Sequence, residues 1–228
     1  MNDDYDDGLM RVNPGFGRPR FSRKEIIDIL ISVAVLSVAF TILYRGNDSF
    51  LNYFEYKLGD SMKYLGLFGM CLVLVVVSFL FHEFGHKFVA QKHGMWSEFR
   101  MWPAGLFLTL VTSFIGFLFA APGAVMIAGN VDRDTNGKIS IAGPAVNLVM
   151  GAIGLIGCFT INHSGWVIFF LMLANLNGFL AIFNLLPIPP LDGSKVLPWN
   201  KFIWAGAIVL AVLEILTVRF WLPDLYWA

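Results

Sequence analysis

Residues 65–81, LGLFGMCLVLVVVSFLF, carry no charge and run directly into His82-Glu83-Phe84-Gly85-His86. An apolar run of this length predicts a helix at membrane depth. On that helix His82 and His86 fall one turn apart on the same face, so both imidazoles can reach one Zn²⁺ ion. Glu83, rotated by about 100° from His82, can hold a water beside the metal and take its proton. A carboxylate at that depth costs about 3 kcal/mol or more, and two imidazoles add to the penalty. Packing alone does not explain such a placement, whereas metal-assisted hydrolysis does.

The surrounding chain fits the same setting. Hydrophobic residues make up 57% of the sequence and charged residues only 14%, which excludes a soluble domain. The formal net charge is zero and no basic stripe is interleaved with aromatics, so no nucleic-acid partner is expected. The two cysteines, Cys71 and Cys158, lie in apolar runs and read as packing residues.

Working outward, residues 1–24 read as a polar cytoplasmic tail, acidic at Asp3, Asp4, Asp6 and Asp7 and basic at Arg18, Arg20, Arg23 and Lys24. Residues 25–228 read as one membrane-embedded unit with its core at 63–193. The class expected is an all-α integral membrane protein with about five transmembrane helices. They are placed at Ile26 to Tyr44, Lys63 to Gly94, from near Ile139, Gly165 to Leu186, and Phe202 to Leu222. Ile26 to Tyr44 is too long for a signal-peptide core and lacks a small-residue cleavage site after it. A further apolar stretch, Ala104 to Ala121, lies between the second and third helices. The His-Glu motif and Leu191-Asp192-Gly193 share a metal only if the second and fourth helices run the same way. That condition makes Ala104 to Ala121 re-entrant or interfacial, leading into a small β-hairpin over Pro122 to Ile141 that turns at Asp134-Thr135-Asn136-Gly137. An ordinary spanning helix is the alternative.

Two histidines leave a catalytic zinc one protein ligand short. His93 is about 10 Å further along the same helix axis. His163 falls in a loop on the opposite side, and Glu98, Asp132 and Asp134 read as solvated. Asp192 remains. The segment Asn184-Leu185-Leu186-Pro187-Ile188-Pro189-Pro190-Leu191-Asp192-Gly193 breaks a membrane helix with three prolines and then presents a carboxylate. Broken backbone at that depth is tolerated where it lines a cavity. Standing alone, the same segment would read as a helix end with an aspartate cap.

Together, H-E-F-G-H and N-L-L-P-I-P-P-L-D-G resemble the site-two protease family of intramembrane zinc metalloproteases, peptidase family M50, in a compact form without a PDZ domain. Gly143-Pro144-Ala145-Val146-Asn147 is similar to the family's motif in the intervening helix. The resemblance implies His82, His86 and Asp192 as ligands of one zinc ion and Glu83 as the catalytic base. It implies a catalytic and substrate-binding role for Asn184, and substrate binding or site support by Asn147. It further implies cleavage of transmembrane protein substrates within or near their membrane segments, as in regulated intramembrane proteolysis. Such a substrate must be unwound, and an exposed strand edge near Pro122 to Ile127 is expected to pair with it. The Ala104 to Ala121 insertion departs from the family's usual passage from motif helix to next helix.

Two other readings compete. In one, Glu214 of the last helix supplies the third ligand; in the other, the chain is a non-proteolytic membrane metal-binding or transport protein, which has no need of a base at Glu83. Charge placement orients the chain. With the N-terminus inside, the inner segments hold twelve Lys and Arg and the outer ones four, Arg45, Lys57, Lys63 and Arg219. The expected location is a prokaryotic plasma membrane, with the N-terminus and the site opening cytoplasmic.

Overall fold

The computed structural model describes residues 21–45, 55, 58–60, 62–119, 122–161 and 164–221. Most of the expected polar tail, and His163, lie outside these residues. Helix α1 (Arg23–Tyr44) starts at Ser22, whose hydroxyl accepts the Glu25 N–H at 3.1 Å. Helix α2 (Lys63–Lys92) carries the motif and contains one π-helical turn, Val76–Leu80. It stops where Gly94 adopts φ +76°, a left-handed conformation that glycine takes without strain. Helices α4 (Arg133–Thr160), α5 (Ser164–Asn184) and α7 (Lys201–Trp221) complete the bundle, with the short α6 (Gly193–Trp199) before α7. Five of these helices are long and apolar enough to cross a membrane, by length and composition. Large apolar side chains such as Leu30, Phe107, Ile115, Phe202 and Phe220 cover the outside.

A two-stranded antiparallel sheet pairs β1 (Trp96–Met101) with β2 (Gly123–Ala128), in a register running from Trp96↔Ala128 to Met101↔Gly123. The expected hairpin over Pro122 to Ile141 is therefore corrected. The partner strand comes from before the apolar insertion, and Asp134 to Gly137 form the first turn of α4. Asp132 decides this by accepting the Thr135 N–H at 2.7 Å, which caps a helix and overrides the Asn136-Gly137 turn signal. Gly137 is required inside that helix because the Trp199 ring lies where its side chain would be. Glu98, expected to be solvated, sits within β1 and accepts from Ser22 Oγ at 3.1 Å.

Between the strands, helix α3 (Pro103–Phe114) runs down α1 until Arg45 lies over the Phe114 ring, 5.7 Å from its centroid. Its 12 residues span about 18 Å, short of the about 30 Å of a bilayer core. The chain then returns to its starting point. The Trp102 N–H donates to Pro122 O at 2.9 Å, and Thr109 Oγ1 to Phe119 O of the returning arm at 2.7 Å. The insertion enters and leaves at the same end of the bundle.

The core joins α1, α2, β1 and α5 through Leu36, Phe40, Leu67, Leu74, Phe99 and Met172. Cys71 and Cys158 are buried and unpaired, as their packing role requires. One fully buried ion pair crosses this core. Lys87 Nζ meets the two Glu25 carboxylate oxygens at 2.8 and 3.0 Å and donates to Ser97 O at 2.8 Å. Glu25 Oε1 also accepts the Phe99 N–H at 2.8 Å. Removing one partner strands a buried charge, so Lys87→Met should lower stability by about 3–5 kcal/mol, and adding Glu25→Leu should restore much of it. Thermal unfolding of the two variants in detergent checks this; equal destabilisation by both would show that the pair is not the source.

Candidate metal centre

The motif helix delivers His82 and His86 to one buried face, and α4 locks both rings from behind. His86 Nδ1 lies 2.8 Å from Ile139 O, and since a carbonyl only accepts, the ring carries its hydrogen on Nδ1. His82 Nδ1 lies 2.6 Å from Asn147 Oδ1. The Asn147 amide is placed by its other side, where Nδ2 donates to Ser78 O at 2.9 Å and Asn177 Oδ1 at 2.8 Å. Ser78 O is within reach because Ser78 belongs to the π-helical turn, which loosens the helical hydrogen-bond ladder one turn before His82. Asn177 Nδ2 in turn donates to Ser78 Oγ at 2.8 Å.

With both Nδ1 hydrogens committed, the Nε2 lone pairs point into one space. They are 3.0 Å apart. Asp192 Oδ2 joins them at 3.2 Å from His86 Nε2 and 3.6 Å from His82 Nε2. A tetrahedral zinc with bonds of about 2.0–2.1 Å separates its donors by about 3.3 Å, so these three atoms have the spacing and the chemistry of a zinc ligand set. Gly143 keeps the space open, since a methyl group on it would overlap both Nε2 atoms. Gly85 makes the same close approach from the motif helix, against Ala142 O.

Asp192 reaches this point because α5 ends at Asn184 and the three prolines prevent its continuation. The turn is anchored where Trp204 Nε1 donates to Leu185 O at 2.7 Å. Gly193 passes so close to Leu185 O that no side chain fits there. Glu83 is buried beside the ligands, and its Oε2 accepts the Val125 N–H of β2 at 3.1 Å.

The structure thus brings together His82, His86, Asp192, Glu83 and Asn147. Asn147 differs from the expected substrate contact: it is fully buried, and its amide is spent on His82, Ser78 and Asn177. Asn184 donates its side-chain N–H to Leu180 O of its own helix at 3.0 Å. Glu214 packs against Gly151, away from the histidines, and its buried Oε2 has no partner. His93 bonds back to Val89 O. Asn177 and Ser78 escaped the sequence reading, although a polar amide in the middle of an apolar helix was a usable signal for Asn177.

Because Asn147 sets the ring of His82, Asn147→Ala should weaken zinc binding about 10- to 100-fold. Gly143→Ala should weaken it at least as much while the helices persist. Metal titration against a competing chelator, with circular dichroism as the folding control, measures both; unchanged affinity in Gly143→Ala would remove Gly143 from the site.

The chain is similar in sequence to zinc metalloproteases of one family. The model of the family described as "Peptidase family M50" matches residues 159–205, which include the proline turn and Asp192. A candidate zinc metalloprotease of Methanocaldococcus jannaschii is 40% identical over 206 residues, covering 89% of this chain and 98% of that protein. A candidate zinc metalloprotease of Bacillus subtilis is 31% identical over 58% of this chain and 69% of its own length. A second zinc metalloprotease of M. jannaschii is 32% identical over 55% of this chain and 32% of its own. No solved structure matches the chain. Identity at this level, sustained along nearly the whole of the first relative, places the chain in peptidase family M50.

Proposed function

We propose that the chain is an intramembrane zinc endopeptidase that hydrolyses peptide bonds within or beside transmembrane segments of other proteins. The observation that carries this reading is the convergence of His82 Nε2, His86 Nε2 and Asp192 Oδ2 next to the carboxylate of Glu83. In it, one zinc ion is held by His82, His86 and Asp192. When bound, zinc supplies Lewis acidity, polarising the scissile carbonyl and lowering the pKa of water toward about 7.

The chain's own residues do the rest. Glu83 takes a proton from water as the oxygen bonds to the carbonyl carbon, then delivers it to the nitrogen as the C–N bond breaks. Asn147 and Ile139 hold the imidazoles with Nε2 forward throughout. Asn184 lies eight residues before Asp192, at the mouth of the same turn, where its amide can turn from Leu180 O to the substrate carbonyl.

Membrane placement follows from the five long apolar helices, each crossing once, and from the re-entrant arm formed by α3. The sheet, the motif end of α2, the start of α4 and the Asp192 turn all gather at one end of the bundle. The Lys and Arg excess supports placing that end on the cytoplasmic side. Water then reaches the ligands from that end without crossing the bilayer core.

The test combines metal content and cleavage. Wild type should hold about one zinc and cut model transmembrane substrates. Glu83→Gln should keep the metal and lose at least about 100-fold in kcat, whereas Asp192→Asn should lose zinc affinity. Zinc retained by all three with no cleavage by wild type would favour a non-proteolytic metal-binding role, and a wild type that binds no zinc would end both readings.

A further inference from the structure

The Phe99↔Val125 pair fixes which way the sheet's backbone groups point. In an antiparallel ladder, residues of a non-hydrogen-bonded pair direct their N–H and C=O away from each other's strand. Three observations agree that Phe99 and Val125 form such a pair. The Phe99 N–H leaves the sheet for Glu25, and the Val125 N–H leaves it for Glu83. Three residues along, Trp102 and Pro122 are in the opposite phase and bond to each other. It follows that Gly123, Val125 and Ile127 present the unpaired edge of β2, and that its central donor is tied to the catalytic base.

We propose that the Val125 N–H is a shared donor, held by Glu83 when no substrate is present and surrendered to the backbone carbonyl of an extended substrate strand that pairs with β2. This rests on the protease reading above. Strand addition to β2 calls on outward donors at alternate residues, and Val125 is the one already in use. A strand that docks takes the donor, and Glu83 Oε2 gives up its hydrogen bond to β2. The carboxylate is thereby tethered to β2 through one of its two oxygens until an unwound backbone arrives. A substrate segment that stays helical keeps its carbonyls bonded internally and cannot make the exchange. Selection is for backbone conformation and not for side-chain identity.

The exchange predicts competition between Glu83 and the substrate for one hydrogen. Glu83→Gln keeps a side-chain carbonyl able to accept the Val125 N–H; Glu83→Ala does not. Neither should cleave, so equilibrium binding of a fluorescent peptide spanning the cleavage site of a model transmembrane substrate can be measured on both zinc-loaded proteins. Glu83→Ala should bind about three- to tenfold more tightly, the worth of one unmasked hydrogen bond. Replacing the Val125 amide by an ester, with the α-hydroxy analogue of valine, removes the donor and retains the side chain. In that background the difference between the Gln and Ala variants should vanish.

Equal affinities in the amide proteins overturn the proposal, and so does a difference that survives in the ester. Zinc content of each variant verifies that the site has folded. If wild type cleaves and the affinities are equal, only the shared donor falls; if wild type cleaves nothing, the protease reading fails on its own measurement.

Discussion

The hydrogen bond from His82 Nδ1 to Asn147 Oδ1, 2.6 Å long and fully buried, constrains more of this structure than any other contact. For it to form, α4 must approach the motif helix closely enough for a side-chain amide to touch a histidine ring. Glycine at 85 and 143 permits that approach, because any Cβ at either position would collide with the neighbouring helix or with the imidazoles. The amide must then be satisfied on its other side, where an apolar surrounding offers no water. Ser78 O and Asn177 Oδ1 supply the two acceptors, and Ser78 O is available because the helix opens into a π turn there. An unpaired polar atom in such surroundings costs several kcal/mol, so His82, Asn147, Asn177 and Ser78 are retained or lost as a unit.

A second consequence of apolar surroundings appears in the sheet. Two strands alone are marginal, and their outer edges carry unpaired donors. Here each edge is closed at its centre by a buried carboxylate. Glu25 takes the β1 edge at Phe99, and Glu83 takes the β2 edge at Val125. The two are chemically unlike despite the symmetry. Glu25 is neutralised by Lys87, an ion pair with no exposed surface, and so is a fixed part of the core. Among the described residues Glu83 has no such Lys partner, and the hydrogen bond it accepts comes from the strand. One edge is fastened by an ion-paired carboxylate and the other by the carboxylate of the His-Glu motif.

Features written in local chemistry were legible in the sequence. The His82-Glu83-x-x-His86 spacing needs only helical periodicity, and the proline-rich turn marks Asp192 because proline cannot continue a helix. Requiring two helices to run the same way also made the segment after Trp102 return to the end it left, where the Trp102 N–H meets Pro122 O. What stayed hidden depends on contacts distant in sequence. β1 is six residues with polar Ser97, Glu98 and Arg100, and it becomes a strand because β2 pairs with it from beyond the apolar insertion, while Glu25, 74 residues earlier, accepts its outward Phe99 N–H. Asn136-Gly137 carries a strong turn signal, but Asp132 caps a helix there and Trp199 stacks onto Gly137. In both cases a tertiary partner overrode a correct reading of local propensity.

The Asp192 turn shows why this end of the bundle is built from interrupted elements. A histidine pair comes readily from a continuous helix, but a carboxylate on a second continuous helix would have to project sideways at the depth where its charge is most costly. Ending α5 at Asn184 lets Asp192 arrive from a turn whose freed backbone groups find other partners. Leu185 O is taken by Trp204 of α7, while the Ile188 and Leu191 N–H groups bond within the turn, to Leu186 O and Ile188 O. The carboxylate then lies at the end of the bundle, close enough to His82 and His86 to share a cation and close enough to the chain's polar end for water to follow. The proposed hydrolysis requires both. A site deeper along α2 would secure the ligands and exclude the reagent, and one beyond Gly94 would have water but no helix to hold two histidines on one face.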